Sequence, residues 1–339
     1  VKPVDTAEIG ATSEALSNLE ARRAFRGILS IVAPCFNEAG NVEALYKEIL
    51  DAASGLNWEL VLVDDGSADT TFERIKSIAK ADPRVRGFRL SRNFGHQYAL
   101  LAGLQRARGA VIVTMDADLQ HPPALIPKLL DEWRTGFNIV HTRRQSEGEL
   151  TWFKKWTSAA YYRVFSLLCG VRIEEGASDF RLLDRRVADA MLSMQEAEMF
   201  MRGLVAWMGY KNTFVSYRVR PRLSGSSKYG VGKMLRFAFA GITSFSTIPL
   251  RVGIFLGFAT SILAVGEIGY VIWMKLRGQV VPGWASITAV MSFLFACAFV
   301  LIGLLGIYVG HIFRRVQHHP TFFVEEGTDA DRPPRRPEA

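Results

Sequence analysis

The sequence predicts an α/β domain with a mostly parallel sheet, followed by a two-helix membrane hairpin. Three observations carry this. Short apolar runs alternate with helical spacing from Ile28 to Met115. Acidic clusters close two of those runs, at Asp64-Asp65 and at Asp116-Ala117-Asp118. Two long apolar stretches, one with a single charge and one with none, lie in the last third of the chain.

The elements follow in order. Ile28 to Ala33 is a short apolar run closed by Pro34 and Asn37, the mark of a buried strand running into a loop. Glu38 to Ala53 carries apolar residues at helical spacing (Val42, Leu45, Ile49). Glu59 to Val63 predicts a second strand and Thr70 to Ala81 a second helix. Val85 to Leu90, Gln97 to Arg108 and Ala110 to Met115 predict a third strand, a third helix and a fourth strand. Such alternation means a parallel sheet covered by helices. Ligands of these sheets bind beyond the carboxyl ends of the strands, where both acidic clusters fall.

Val252 to Met274 is 23 residues whose one charge is Glu267, and Ala285 to Gly310 is 26 residues with none. Each is long enough to cross a hydrocarbon core of about 30 Å. Lys228, Lys233, Arg236, Arg251, Arg314 and Arg315 flank the pair on the outside, against Lys275 and Arg277 in the link. The positive-inside rule then makes the flanks, and the α/β domain, cytoplasmic. Met234 to Phe245 is expected as an interfacial helix. Glu267 is costly in a span unless it faces a partner or a polar cavity. The resulting division is a tail over 1–26, a catalytic domain over 27–230, interfacial helices over 231–250, transmembrane helices at 252–274 and 285–310 within 251–315, and a tail over 316–339.

The formal net charge of +8 and the sequence pI near 9.5 suit an anionic partner. No aromatic-interleaved basic strand or recognition-helix pattern supports nucleic acid. Cys35, Cys169 and Cys297 are too few and too scattered for a disulfide framework or a zinc site. The first 26 residues lack the apolar core of a secretory signal. The six histidines show no zinc spacing and are expected to be ordinary loop and tail residues.

Asp116 and Asp118 flank one residue in a loop after a strand, a pattern that can share a hard divalent cation. Mg2+ and Mn2+ favour oxygen ligands and leave positions open for phosphate oxygens. Acidic turns after strands are also common, so the pattern alone admits a structural reading.

Several motifs in register narrow this. Thr114 to Pro123 resembles the metal-binding segment of the inverting GT-A glycosyltransferases of family 2. Ile31 to Glu38 and Val63 to Ser67 resemble that family's nucleotide-binding loops, and Leu90 to Gly95 the loop that follows. Ser178 to Asp184, Phe200 to Leu204 and Arg222 to Tyr229 extend the likeness to the polyprenyl-phosphate glycosyltransferases, bactoprenol glucosyltransferase branch. The match runs from about Ile28 to Phe323. The resemblance implies a GT-A fold and transfer of a hexose, glucose from UDP-glucose first, to undecaprenyl or another polyprenyl phosphate with inversion. A UDP-aminoarabinose derivative, UDP-galactose or GDP-mannose are the other donors it admits. It also implies a Mg2+ or Mn2+ cofactor, a homo-oligomer such as a tetramer, and a multi-pass place in a bacterial inner membrane.

By the same resemblance Pro34, Asn37, Glu38, Asp64 and Asp65 line the nucleotide pocket, with Arg92, Arg222 and Lys228 toward the donor phosphates. Which of Asp64 and Asp65 is the packed member stays open. Asp116, Asp118 and Gln120 hold the metal and diphosphate. Asp179, with Asp118, stands at the reacting centre, either as general base or as the residue that orients Arg181. A phosphate monoester has a second pKa near 6, so this nucleophile needs little proton abstraction. Arg143, Arg144, Lys154, Ser158 and Ser227 are placed on the acceptor phosphate. For Lys154, docking to anionic lipid is an equal reading. Two other functions are weighed. A processive synthase carries more membrane helices and a QxxRW-type motif, which this chain lacks. A catalytically dead scaffold loses the paired aspartates, which are intact here.

Overall fold

The structure is a computed structural model and describes residues 27–145, 177–194, 201–218, 248–278, 283–317 and 320–328. Lys154, Ser158, Arg222, Ser227, Lys228, the expected interfacial helix and both outermost termini lie outside the described residues. The described residues fall into two compact units: the α/β domain together with 320–328, and a two-helix unit.

The α/β domain is built on an eight-stranded sheet. Its strands are β1 (Leu29–Cys35), β2 (Trp58–Asp64), β3 (Val85–Leu90), β4 (Val111–Thr114), β5 (Ile139–Gln145), β6 (Ala177–Asp184), β7 (Asn212–Arg218) and β8 (Val324–Gly327). The order across the sheet is β7-β5-β6-β4-β1-β2-β3-β8. The centre, β4-β1-β2-β3, is parallel, with Leu29 opposite both Trp58 and Val111. β6 runs antiparallel between β4 and β5, and β7 pairs parallel with β5. The result is a mostly parallel mixed sheet of the Rossmann-like GT-A kind.

Near-continuous apolar runs make these strands buried on both faces, with successive side chains turned to opposite cores. Leu29, Ile31, Ala33, Leu60 and Leu62 face one core; Val32, Val61 and Val63 face the other. The first core is closed by α1 (Val42–Ala52), α2 (Thr71–Ala81) and α4 (Ile126–Arg134), through Leu45, Ile49, Phe72, Ile75, Leu129 and Trp133. The second is closed by α3 (His96–Arg106), α5 (Arg185–Ser193) and α6 (Met201–Trp207). Asp184 caps α5 by accepting the Arg186 N–H at 3.1 Å, and also accepts the Trp133 Nε1–H at 2.9 Å. Helix α3 lies close on the sheet because Gly103 carries no Cβ there; one added would stand 2.3 Å from Val32 Cγ1.

The second unit holds α7 (Ile248–Leu276) and α8 (Trp284–Val316). Ile248–Leu276 and Val290–Gly310 are long and apolar enough to cross a membrane, with mean hydropathies of 1.9 and 2.6. Both helices overrun the apolar stretches read from sequence.

Two elements were not read from the sequence. The Ser178–Asp184 motif is a strand, β6, and it inverts the local sheet direction. Val324–Gly327, within the segment expected to be a tail, is the edge strand β8, antiparallel to β3. Ser91 N–H donates to Phe323 O at 3.0 Å and Gly87 N–H to Thr328 Oγ1 at 2.9 Å. A four-residue strand is too short to show a period, and its gain is to cover the β3 edge.

Gly103→Ala is expected to destabilise the domain by about 1–3 kcal/mol through overpacking against Val32. Adding Val32→Ala should restore part of the loss, read as thermal midpoints of the detergent-solubilised chain. Additive losses would show that the close approach does not govern this contact.

Candidate active site

In a sheet ordered 4-1-2-3, the chain reverses direction across the sheet between β1 and β4, and the crevice beyond their carboxyl ends is where sheets of this kind take their ligands. Met115 N–H donates to Val32 O at 3.0 Å, which holds the two strand ends together. The loops that open here are 36–41 after β1, 65–70 after β2, 91–95 after β3 and 115–121 after β4.

The first three loops are tied to one another by buried carboxylates. Asp64 and Asp65 are both buried. Asp64 Oδ1 accepts the Ser67 N–H at 3.1 Å and the Ser67 hydroxyl, while Oδ2 lies 3.6 Å from Arg89 Nε. Asp65 accepts the Phe94 and Gly95 N–H groups at 2.8 and 2.9 Å. Both aspartates are therefore packed and hydrogen-bonded. Burial pushes both carboxyls above their usual range, and the hydrogen bonds to the charged form oppose it. Gly66 sits between them and the next loop with φ 67°, and a Cβ there would stand 2.6 Å from the Arg92 carbonyl carbon. Asn37 joins the same rim. Its Oδ1 accepts the Ala68 N–H at 3.0 Å, and its own N–H donates to Ser67 Oγ at 2.9 Å. Its φ of 56° suits Asn. Pro34 is buried in β1. Arg92 is exposed, stacked over Phe94 at 4.5 Å.

Glu38, Asp116 and Asp118 bring carboxylates to the mouth of the crevice, each half-buried. Burial pushes the Glu38 carboxyl up, the Asn41 hydrogen bond opposes it, and the charges of Asp118, Asp69 and Asp116 add to the rise. Such crowding of negative charge is what a cation relieves. Among the described residues no group of three or more His, Cys, Asp or Glu side chains is set to hold a metal. Asp116 and Asp118 offer two carboxylates, which fits a Mg2+ or Mn2+ whose shell is completed by substrate phosphates. Gln120 is buried rather than on the surface, and its Nε2 has no partner among the described residues. Turning the amide over would present Oε1 at the same point. Its N–H donates to Asp118 Oδ1 at 3.1 Å.

β6 brings Asp179 to the neighbouring strand end. Its Oδ1 accepts from Arg181 at 2.6 Å, and its carbonyl accepts the Thr114 hydroxyl at 2.6 Å. The pair is buried. Arg143 stacks on Phe214 at 4.7 Å, and Arg144 is exposed with Nη2 3.4 Å from His121 Nε2. Histidine reasoning from spacing missed two buried rings. His121 is fully buried next to the paired aspartates, and His141 is buried in β5, stacked on Phe214 at 5.0 Å. His96 Nε2 also lies 3.4 Å from Asp116 Oδ1. Only the place of His121, directly after Gln120, pointed to it in the sequence.

The site can be set beside known proteins. The pattern of "Glycosyl transferase family 2" matches residues 30–192. An uncharacterized glycosyltransferase of Synechocystis sp. is 38% identical over 88% of this chain and 95% of that protein. A prophage bactoprenol glucosyl transferase homolog of Escherichia coli is 33% identical over 88% of this chain and 98% of that protein. The bactoprenol glucosyl transferase of Shigella phage SfV matches with the same figures. Among solved structures, glucosyl-3-phosphoglycerate synthase of Mycobacterium tuberculosis shows a TM-score of 0.45 at 23% identity, over 68% of this chain and 84% of that one. The sequence relatives make this protein a glycosyltransferase. It belongs to glycosyl transferase family 2.

Burial, with the Arg181 charge adding, lowers the His141 pKa to about 3. The folded chain therefore refuses a proton that the unfolded chain takes near 6.5. The stability this represents is present above pH 6.5 and is lost as pH falls toward 3. His141→Gln is expected to flatten the decline of the thermal midpoint between pH 6.5 and 4 relative to the parent. Parallel profiles would count against a buried neutral ring.

Proposed function

We propose that this glycosyltransferase moves a hexose, glucose from UDP-glucose first, onto a polyprenyl phosphate with inversion. The observation that carries the reading is the near full-length likeness to proteins named bactoprenol glucosyl transferase, over 88% of this chain. Two further features support it. The α/β domain is followed by two helices apolar enough to span a membrane, where such an acceptor resides. The crevice between β1 and β4 is acidic at its mouth, as a cation-dependent diphosphate site requires.

Asp116, Asp118 and Gln120 would hold Mg2+ or Mn2+. When bound, the cation neutralises charge developing on the nucleotide diphosphate as it leaves. The chain supplies the rest. Glu38, with the loops that Asp64 and Asp65 order, would cradle base and ribose. Arg143 and Arg144, with Lys154, Ser158 and Ser227, would hold the acceptor phosphate. Its attacking oxygen is already largely ionised at neutral pH. The Arg181 contact favours Asp179 as an orienting carboxylate over a proton acceptor. The two helices are proposed to span a bacterial inner membrane with the catalytic domain on the cytoplasmic face.

The test uses full-length protein in detergent with undecaprenyl phosphate, Mg2+ or Mn2+, and a panel of labelled UDP- and GDP-sugars. Label should enter the organic phase from one donor, stop with EDTA, and fall about 100-fold or more in Asp116→Asn. No lipid-linked label from any donor, with folded protein, would sink the acceptor assignment. Asp179→Asn should lower turnover without shifting the pH optimum. A shifted optimum would restore the general-base role.

A further inference from the structure

We propose that His121 is a positioning residue that fixes the Asp116–Gln120 loop to β6 beside Asp179, and so aims the metal-binding carboxylates. The inference rests on the cation-dependent reading of the site above.

The ring is 0% exposed. It stacks on Phe180, with centroids 5.2 Å apart and planes at 23°, and meets the Tyr217 ring edge-on at 6.1 Å. Packing therefore fixes its plane. Nδ1 accepts the Asp116 N–H at 3.0 Å. A backbone N–H can only donate, so Nδ1 carries the lone pair and the neutral ring's proton lies on Nε2. Nε2–H then donates to Ser178 Oγ at 2.9 Å, which also accepts the Phe180 N–H at 3.2 Å. Ser178 directly precedes Asp179.

Two hydrogen bonds through one ring thus join the backbone of Asp116 to the residue beside Asp179. Thr114 Oγ1 to Asp179 O, at 2.6 Å, is a second strap onto β6, from the end of β4. The loop needs such support. Leu119 holds φ 61°, a conformation that side-chain-bearing residues seldom adopt and that persists only where neighbours over-determine it. Holding the Asp116 N–H fixes the peptide plane that leads into Asp116 and so the place of its Cα. An Asp116 freed from His121 would lose the attitude that lets it share a cation with Asp118. Hydrogen-bond partners of this kind typically govern metal affinity by about 10–100-fold.

The experiment titrates UDP into the full chain in detergent by calorimetry, with and without Mn2+, for the parent, His121→Phe, His121→Asn and Ser178→Ala. His121→Phe keeps the stacked ring and removes both nitrogens. It should leave metal-free UDP binding unchanged and weaken the Mn2+-dependent increment by about ten-fold or more. His121→Asn, whose Oδ1 can accept the Asp116 N–H, should recover most of that increment. Ser178→Ala should show an intermediate loss, and the KM for Mn2+ should rise more than kcat falls. The proposal is overturned if His121→Phe binds Mn2+ and UDP like the parent. It is equally overturned if metal-free binding is lost in step, or if His121→Asn does no better than His121→Phe. A parent chain with no Mn2+-dependent increment would instead refute the cation reading, and this inference with it.

Discussion

Burying the Asp64 and Asp65 carboxylates obliges three loops to meet. A buried carboxylate without partners is costly, and here the partners are an N–H and a hydroxyl from the same loop for Asp64 and two N–H groups from the loop after β3 for Asp65. Asp64 takes Ser67, and Asp65 takes Phe94 and Gly95. Ser67 in turn accepts from Asn37, and Asn37 accepts from Ala68. The ends of β1, β2 and β3 are thereby closed into one rim. Gly66 sits where any side chain would strike the Arg92 backbone, so the rim is tight by steric fit as well as by hydrogen bonding.

The opposite edges of the strands are held by a different device. Glu59 accepts from Ser30 Oγ at 2.6 Å, from Arg86 Nη1 at 3.0 Å and from the Arg108 N–H. A buried ion pair is weak evidence for stability, because desolvation offsets much of its attraction. Its effect here is directional: β1, β2 and β3 are pinned together at their amino ends, opposite the rim that closes their carboxyl ends. The site is thus carried on elements constrained at both ends, and its half-buried acids can stay near one another despite repulsion.

Much of the fold was legible. The parallel core showed because its strands are buried on both faces and end in acids or turn residues. The paired aspartates were legible as a candidate site for the same reason: they fall where a strand must stop. What escaped was set by partners remote in sequence. β6 contains Asp179 and Arg181 among apolar residues, and that alternation is shared by loop motifs. β8 has four residues and no period to read. The roles of Asp64 and Asp65 were undecidable because both side chains accept backbone N–H groups, and backbone donors leave no trace in residue identity. His121 was hidden likewise, since its Nδ1 partner is a main-chain N–H.

The antiparallel insertion of β6 has a consequence for chemistry. In an all-parallel continuation, the strand beside β4 would bring its carboxyl end to the crevice and contribute a loop. Because β6 runs the other way, it brings its amino-terminal half there, and Ser178 and Asp179 lie just beyond the Thr114–Arg181 pair that ends its ladder with β4. Asp179 draws its rigidity from two contacts: its carbonyl accepts the Thr114 hydroxyl at 2.6 Å and its carboxylate accepts from Arg181 at 2.6 Å. Arg181, opposite Thr114 in that ladder and ion-paired to Asp179, shares the rigidity. A carboxylate fixed in this way is poorly placed to swing toward a proton and well placed to hold a fixed charge against a substrate. These contacts, rather than the acidity of one side chain, are what support the orienting role proposed for Asp179.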